Sequence, residues 1–579
     1  MNYSSRNPAL SLKLEGWRSR LLLVLLCMMF LGLAARAAYL QGVRHDFLQQ
    51  KGEARYGRVI ELPANRGIVY DRNGEALAIS TPMESVWASP PDANLSATQT
   101  AQLAKILRVD KKEIDENLSD NKERGFVYLK RQVSPKLATA VTALNIPGVF
   151  LRREYKRFYP AGEVMAHVLG FTGVDDIGQE GLELAFQSSL AGSPGKKRVI
   201  KDRAGHIVED VESIRLPQDG KSLTLSLDSR IQYLAYRELR DAVQANRAKA
   251  GSIVVLDVRT GEIVALASMP DYNPNNRLGI KPAQMRNRPA IDMFEPGSTL
   301  KPFTIAAAIE AGKISPNTVI STAPGSLTVG DRTIHDAHPQ GDLTVAQVIQ
   351  KSSNVGSAKI ALSLPAEKMW DMFNSVGFGA APHSGIPGES SGRVRPYKTW
   401  RPIEQATMSY GHGISVSLLQ LARAYTAFAT GGEIRPVTLL KVEGEAVGER
   451  IISERTAKAV AAMLEMAVQP GGTAPKAQVP GYRVAGKTGT AHKQIAGHYA
   501  ANIYVSSFVG FAPASSPRFV IAVMIDEPSA GQYYGGAVAA PVFSKVMGGA
   551  LRSYGIVPDS PPKEWSDPVL SAPEIKEEA

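Results

Sequence analysis

An apolar, charge-free run, Leu21–Ala35, follows the cations Arg6, Lys13, Arg18 and Arg20, and apolar character resumes after Arg36 through Ala37-Ala38-Tyr39-Leu40. The stretch Leu21–Leu40 is near the length one helix needs to span a bilayer. The positive flank predicts a cytoplasmic tail over residues 1–20, with everything from about residue 41 beyond the membrane. Ala35-Arg36-Ala37 also has the form of a signal-cleavage site. An uncleaved anchor over 21–40 is the favoured reading, because Arg36 and Tyr39 are placed to snorkel to the far interface. No later run approaches spanning length.

Past the anchor the period shortens. Apolar positions flank Asn73-Gly74 within Arg66–Ile79, and Asn-Gly between β-prone runs is a strong hairpin signal. Residues 96–145 turn helical, at Thr98–Leu107 and Pro135–Leu144. Turn-rich breaks at Gly192–Lys197 and Pro217–Lys221 lead into Ser222–Leu227, which alternates as a strand. A different regime follows. Ile231–Ala248 has helical amphipathic spacing, and Ser252–Val258 and Glu262–Ala267 read as a hairpin around Arg259-Thr260-Gly261. Helices are expected from Ser298 to about Ala311, over Val345–Leu362 and over Ser417–Thr430. Strands are expected at Tyr504–Phe511 and Arg518–Ile525. Mixed helices and hairpins define an α+β class, with helices packed on an antiparallel sheet. From residue 556 the chain is proline-rich and reads as a disordered tail, 556–579.

At 579 residues the chain predicts two to four domains, and 44% hydrophobic with 21% charged residues excludes bulk disorder. The net charge of +11 fits a solvated basic surface or attraction to anionic lipid or polymer. No zinc spacing, RNP-type aromatic motif or basic-region helix supports a nucleic-acid role. Cys27 stands alone, so no intrachain disulfide forms, and Leu25-Leu26 are not the small residues of a lipoprotein box.

Three pieces of candidate chemistry lie in order: Ser298-Thr299-Leu300-Lys301, Ser352-Ser353-Asn354 and Lys487-Thr488-Gly489. Singly each is weak; together they form the S-x-x-K, S-x-N, K-T-G set of serine acyl-transfer enzymes. A serine hydroxyl needs a base, and Lys301 stands one helical turn beyond Ser298, on the same face. Ser352 offers a hydroxyl for proton relay, and Asn354 an amide to orient Lys301. Lys487, Thr488 and Thr490 offer a cation and hydroxyls to a substrate carboxylate, with Gly489 permitting close backbone approach. The N–H groups of Ser298 and Thr490 are candidates for the oxyanion hole. Gly481–Thr488 also matches the P-loop pattern, but Ala474–Pro480 is not an apolar strand and Gly489–Lys493 is a poor helix start. His335-Asp336-Ala337-His338 lacks the spacing of a helical zinc pair and reads as a polar loop; no metal and no cofactor is expected.

With these residues in place the chain resembles the class B penicillin-binding proteins over nearly all of residues 20–555. Arg66–Gly74, Arg157–Gly162 and Gly178–Glu183 resemble the three pedestal motifs of that family, and Tyr533–Gly536 with Ala540–Phe543 resemble its division type. The resemblance implies a pedestal over 45–221 and, over 222–555, a transpeptidase domain of serine β-lactamase type. It implies a DD-transpeptidase that cross-links D-Ala-D-Ala stem peptides at the septum and is acylated by β-lactams at Ser298. By matching position, Tyr410, Gly411, Tyr533 and Tyr534 line the substrate cleft. His412 and His492 stand where relatives carry an aromatic and a basic residue. The expected setting is the bacterial inner membrane, single-pass, with the catalytic domain in the periplasm. A multi-spanning septal glycosyltransferase and other division-complex membrane proteins are the expected partners, and the Arg66–Ile79 hairpin, lacking catalytic motifs, is expected to serve such contacts. β-Lactamase and β-lactam-sensor readings are disfavoured: no E-x-x-L-N deacylation context is found, and about twenty residues before the membrane are too few for a signalling domain.

Overall fold

A computed structural model describes residues 15–45, 47, 57–201, 207–495 and 497–560. The N-terminal apolar run is helical over Gly16–Ala38 and closes in a wider turn, Tyr39–Val43. Gly16–Val43 has a mean hydropathy of 2.3 and none of its hydropathic window is buried in protein. That length and exposure fit a helix whose solvent is lipid. The guanidinium groups of Arg36 and Arg44 each lie 5.6 Å from the Tyr39 ring, a charged-aromatic cluster of interfacial type.

The chain forms two compact units that do not run consecutively. One joins Met83–Glu154 and Ser193–Gln218 with the stretch up to Ala64; the other joins Asn65–Pro82, Tyr155–Gly192 and the chain from Asp219. In the first unit, helices Ala97–Leu107 and Pro135–Thr142 begin on Ser96 and Ser134, whose side chains accept from Gln99 N and Leu137 N. They cover strand Val127–Val133 with a core of Val86, Leu103, Leu107, Leu129 and Val141.

The second unit opens with the expected hairpin, Val69 opposite Ala78 and Tyr70 opposite Ala76. At its start Arg66 is buried in a charged knot. Arg66 Nε donates to Glu183 Oε2 at 2.6 Å, and Arg157 Nε donates to Glu183 Oε1 at 2.7 Å. Arg66 also bonds the carbonyls of Asp176 and Glu183 and the Gln187 side chain. The three pedestal motifs thus converge on one carboxylate, with Arg66 and Glu183 side chains fully shielded. Glu183→Ala leaves two buried guanidinium groups without their anion and is expected to destabilise this unit by about 3–5 kcal/mol, measured by chemical denaturation.

The main sheet of the second unit has five antiparallel strands: β1 (Ala250–Asp257), β2 (Ile263–Met269), β3 (Ala485–Ile495), β4 (His498–Ala512) and β5 (Phe519–Asp526), in spatial order β2-β1-β5-β4-β3. Residues of β1, β2 and β5 are buried throughout, so side-chain alternation feeds two cores. Ile253, Val255, Ile521 and Val523 pack with Ile231, Leu239, Phe543 and Val546 from α1 (Ser229–Ala245) and the helix Ala540–Ser553. Val254, Leu256, Val520 and Ala522 pack with Phe303, Leu421 and Tyr425 from α2 (Lys301–Glu310) and the helix Leu418–Ala429.

Two expectations change. Val345–Leu362 is not one helix: α3 (Val345–Lys351) ends at Ser352, whose φ of 62° breaks it, and α4 (Asn354–Leu362) restarts on a Ser353 cap. The stretch expected to be a free tail from 556 is held as far as Ser560. Asp559 accepts from Arg483 N at 2.7 Å and Ser515 Oγ at 2.6 Å; residues 561–579 lie outside the described ones.

Candidate active site

Ser298 lies in a single 3-10 turn, Gly297–Leu300, that runs directly into α2, rather than at a helix cap. Pro302 is tolerated in the first turn of α2 because its missing N–H would have no intrahelical partner there. The turn is fixed from the core side: Tyr425 donates to Thr299 O at 2.8 Å, and Thr304 Oγ1 donates to Ser409 O at 3.1 Å. Gly411, at φ +90°, presses on it so closely that a Cβ there would lie 2.2 Å from Gly297 O. On the other side Gly489 of β3 approaches, and a Cβ on it would meet Pro296 O at 2.7 Å. What comes close to Gly489 is therefore the serine turn itself.

The spacing of the first motif does what the sequence predicts. Lys301 Nζ lies 2.7 Å from Ser298 Oγ, and contacts Ser352 O at 2.6 Å, Ser352 Oγ at 3.0 Å and Asn354 Oδ1 at 2.8 Å. Lys301 is completely buried. Of these partners Ser352 O and Asn354 Oδ1 can only accept, so they take two N–H bonds from the amine. A neutral amine has two, leaving its lone pair for a hydroxyl proton.

The break at Ser352 is what aims its carbonyl and hydroxyl at Lys301. Serine in the left-handed region is strained, so surrounding bonds must hold it there. Asp336, read from sequence as part of a polar loop, supplies them: its carboxylate accepts from Ser353 Oγ at 2.7 Å and Val355 N at 2.9 Å. Asn354 Nδ2 donates to His335 O at 3.2 Å.

Lys487 is buried on β3, the outer strand of the sheet, with Nζ 3.2 Å from Thr488 Oγ1. A strand rather than a helix follows Lys487, which removes the P-loop reading. Thr488 Oγ1 also pairs with Thr473 Oγ1 at 2.9 Å, a partner no motif announced. Thr490 Oγ1 accepts from Gly535 N at 3.1 Å, which ties β3 to the Tyr533-Tyr534 segment. There the rings of His492, Tyr504, Tyr533 and Tyr534 form a run with centroid separations of 4.7, 4.1 and 4.3 Å. Ser506 Oγ donates to Tyr533 O and holds the wall in place.

Tyr410 is buried, with its ring 6.0 Å from Lys301 Nζ and 5.2 Å from the His412 ring. Burial pulls His412 down to about 4. It is neutral at pH 7 and presents an aromatic face. The structure thus brings Ser298, Lys301, Ser352, Asn354, Gly489, Thr490, Tyr410 and Gly411 around one turn, with Lys487 and Thr488 further along β3 and Tyr533-Tyr534 tied to it through Thr490.

A serine on a buried amine, with hydroxyl and amide groups around the pair, is the arrangement of a lysine-based serine acyl-transferase. Residues 251–548 match the penicillin binding protein transpeptidase domain, and residues 61–225 match the penicillin-binding protein dimerisation domain. The chain belongs to the penicillin-binding protein transpeptidase family. It is 46% identical over 548 residues to the probable peptidoglycan D,D-transpeptidase PenA of Neisseria meningitidis, covering 94% of each. It is 41% identical over 549 residues to the peptidoglycan D,D-transpeptidase FtsI of Escherichia coli, covering 94% of this chain and 93% of that one. The apo transpeptidase domain of Burkholderia pseudomallei penicillin-binding protein 3 superposes with a TM-score of 0.54 at 48% identity, covering 58% of this chain and 98% of that one.

Proposed function

We propose that this protein is a peptidoglycan DD-transpeptidase working at the division septum through an acyl-enzyme on Ser298. The observation that carries the reading is the 2.7 Å approach of Lys301 Nζ to Ser298 Oγ, with the amine's other bonds directed to acceptors. Ser298 Oγ attacks the carbonyl carbon of the penultimate D-Ala and passes its proton to Lys301. The C–N bond breaks, and the leaving D-Ala nitrogen takes a proton from Lys301 by way of Ser352 Oγ. A second strand's amine then attacks the ester, forming the cross-link and returning the proton to Ser298. The N–H groups of Ser298 and Thr490 hold the developing oxyanion.

As the outer strand, β3 has one edge on which an extended peptide can add by main-chain pairing. The terminal carboxylate lies toward Lys487 and Thr488, the reacting carbonyl at Ser298 and Thr490, and the rest of the acyl donor runs toward Ala491–Gln494. Tyr410, Gly411, Tyr533 and Tyr534 wall this path. β-Lactams enter by the same route and stay bound. Residues 45–221 serve as pedestal and 222–555 as the transpeptidase domain. Gly16–Val43 anchors the chain in the inner membrane, with the catalytic unit in the periplasm, and a multi-spanning glycosyltransferase of the division complex supplies the glycan strand.

Incubation with a D-Ala-D-Ala peptide and an amine acceptor tests the reaction. Release of D-Ala with acceptor incorporation supports it, and release without incorporation under all acceptors contradicts it. Lys487→Ala removes a charged partner worth about 1.5–3 kcal/mol, so acylation by benzylpenicillin should fall roughly ten- to hundredfold. Its methyl ester, which lacks the carboxylate, should be much less affected.

A further inference from the structure

Glu295 stands three residues before Ser298 and has no place in the chemistry above. Its carboxylate accepts from three donors: Gly413 N at 2.8 Å, Gln494 Nε2 at 3.1 Å, and Tyr499 OH at 3.0 and 3.1 Å to its two oxygens. Gly413 closes the Tyr410–Gly413 loop that packs on Gly297. Gln494 and Tyr499 face each other across the tip of the β3–β4 hairpin. One side chain therefore joins the serine turn, the loop against it and the strand that carries Lys487–Thr490.

Packing alone does not fix that hairpin tip. Its register slips between His492 and Gln494, and Ile495 and Tyr499 are about half exposed, at 48% and 50%. Beside Glu295 is a cavity of about 440 Å³, lined in part by Met293, Phe294, His492, Val505 and Met524. That pocket opens to solvent, so the wall facing it meets water rather than packed side chains, and directed polar bonds carry the geometry. Charges at the cavity are paired: Lys493 with Asp526 and Glu527, Lys249 with Glu527, and Arg286 and Arg288 with Asp292. Burial lifts the Glu295 carboxyl above the usual range, and the Gly413 N–H and Tyr499 hydroxyl offset part of that rise.

We infer that Glu295 is a positioning residue that clasps the β3–β4 hairpin tip and the Tyr410–Gly413 loop to the Ser298 turn, setting the width of the cleft beyond Thr490. It governs how tightly the upstream part of an acyl donor is held, and not the attack by Ser298. The inference rests on the Ser298 reading.

Stopped-flow acylation of the full-length protein in detergent separates the binding constant from the acylation rate constant. Two ligands are compared: a penicillin with a bulky acyl side chain, and 6-aminopenicillanic acid, which has none. Glu295→Ala is expected to weaken binding of the bulky ligand by about tenfold or more, with its acylation rate constant within about threefold and 6-aminopenicillanic acid little changed. Glu295→Gln keeps an acceptor oxygen and should restore binding to within about threefold of the unmodified protein. Tyr499→Phe and Gln494→Ala should each give part of the loss and add nothing to Glu295→Ala; they also serve if the alanine variant folds poorly. An equal fall in the acylation rate constant for both ligands would overturn the inference, as would unchanged binding, additive effects, or no rescue by glutamine. Mapping the adduct on the unmodified protein is independent of all these, and an adduct away from Ser298 would fail the site reading instead.

Discussion

Ser298→Ala is expected to lose covalent labelling by fluorescent penicillin completely, with the thermal unfolding midpoint close to that of the unmodified protein. The substitution removes one oxygen from a half-buried residue in a turn held by other groups. Gly411 and Gly489 press on its backbone, and Tyr425 bonds the Thr299 carbonyl. None of those contacts involves the serine hydroxyl, so the fold should not notice its loss. The hydroxyl is bonded to Lys301 and lies on the turn beside Thr490. Residual labelling at the unmodified rate would mean that another oxygen, with Ser352 the first candidate, carries the acyl group.

Lys301→Ala is expected to cut the acylation rate by at least the ~10²–10⁴-fold credited to general base catalysis. The effect should exceed that of a lost proton acceptor. The amine holds together Ser298, Ser352 and Asn354, and its removal takes away the donor that the partly buried Ser352 carbonyl and Asn354 amide oxygen share. Each such acceptor costs about 1–3 kcal/mol if unsatisfied, which favours rearrangement of the Ser352 turn. Arginine at 301 should not rescue the rate, since its guanidinium does not deprotonate. A fall of only a few fold would show that another base takes the Ser298 proton.

Much of this site could be read in the sequence because its chemistry is local. The three-residue spacing of Ser298 and Lys301 fixes their contact within one turn. Near-continuous apolar, β-branched runs over Ser252–Val258 and Arg518–Ile525 mark two neighbouring strands of the sheet, and Asn73-Gly74 marks a hairpin. What the sequence hid depends on contacts between distant residues. The helical period runs on through Val345–Leu362, and nothing local signals that Ser352 takes a left-handed conformation. The bonds that hold it come from Asp336, 17 residues away from Ser353. Glu295 likewise looks like one more polar residue before a turn; its partners lie 118, 199 and 204 positions on. Nothing near Arg66 in the sequence marks it as buried, and its burial follows from Glu183, 117 residues later.

The most direct test of the account is the site of acylation. The full-length protein is reacted with benzylpenicillin, quenched, digested and mapped by tandem mass spectrometry. The geometry around Lys301 predicts a single penicilloyl adduct, placed on Ser298, that persists well beyond the reaction time. An adduct on any other residue, or antibiotic hydrolysed over many turnovers with no adduct trapped, would contradict it.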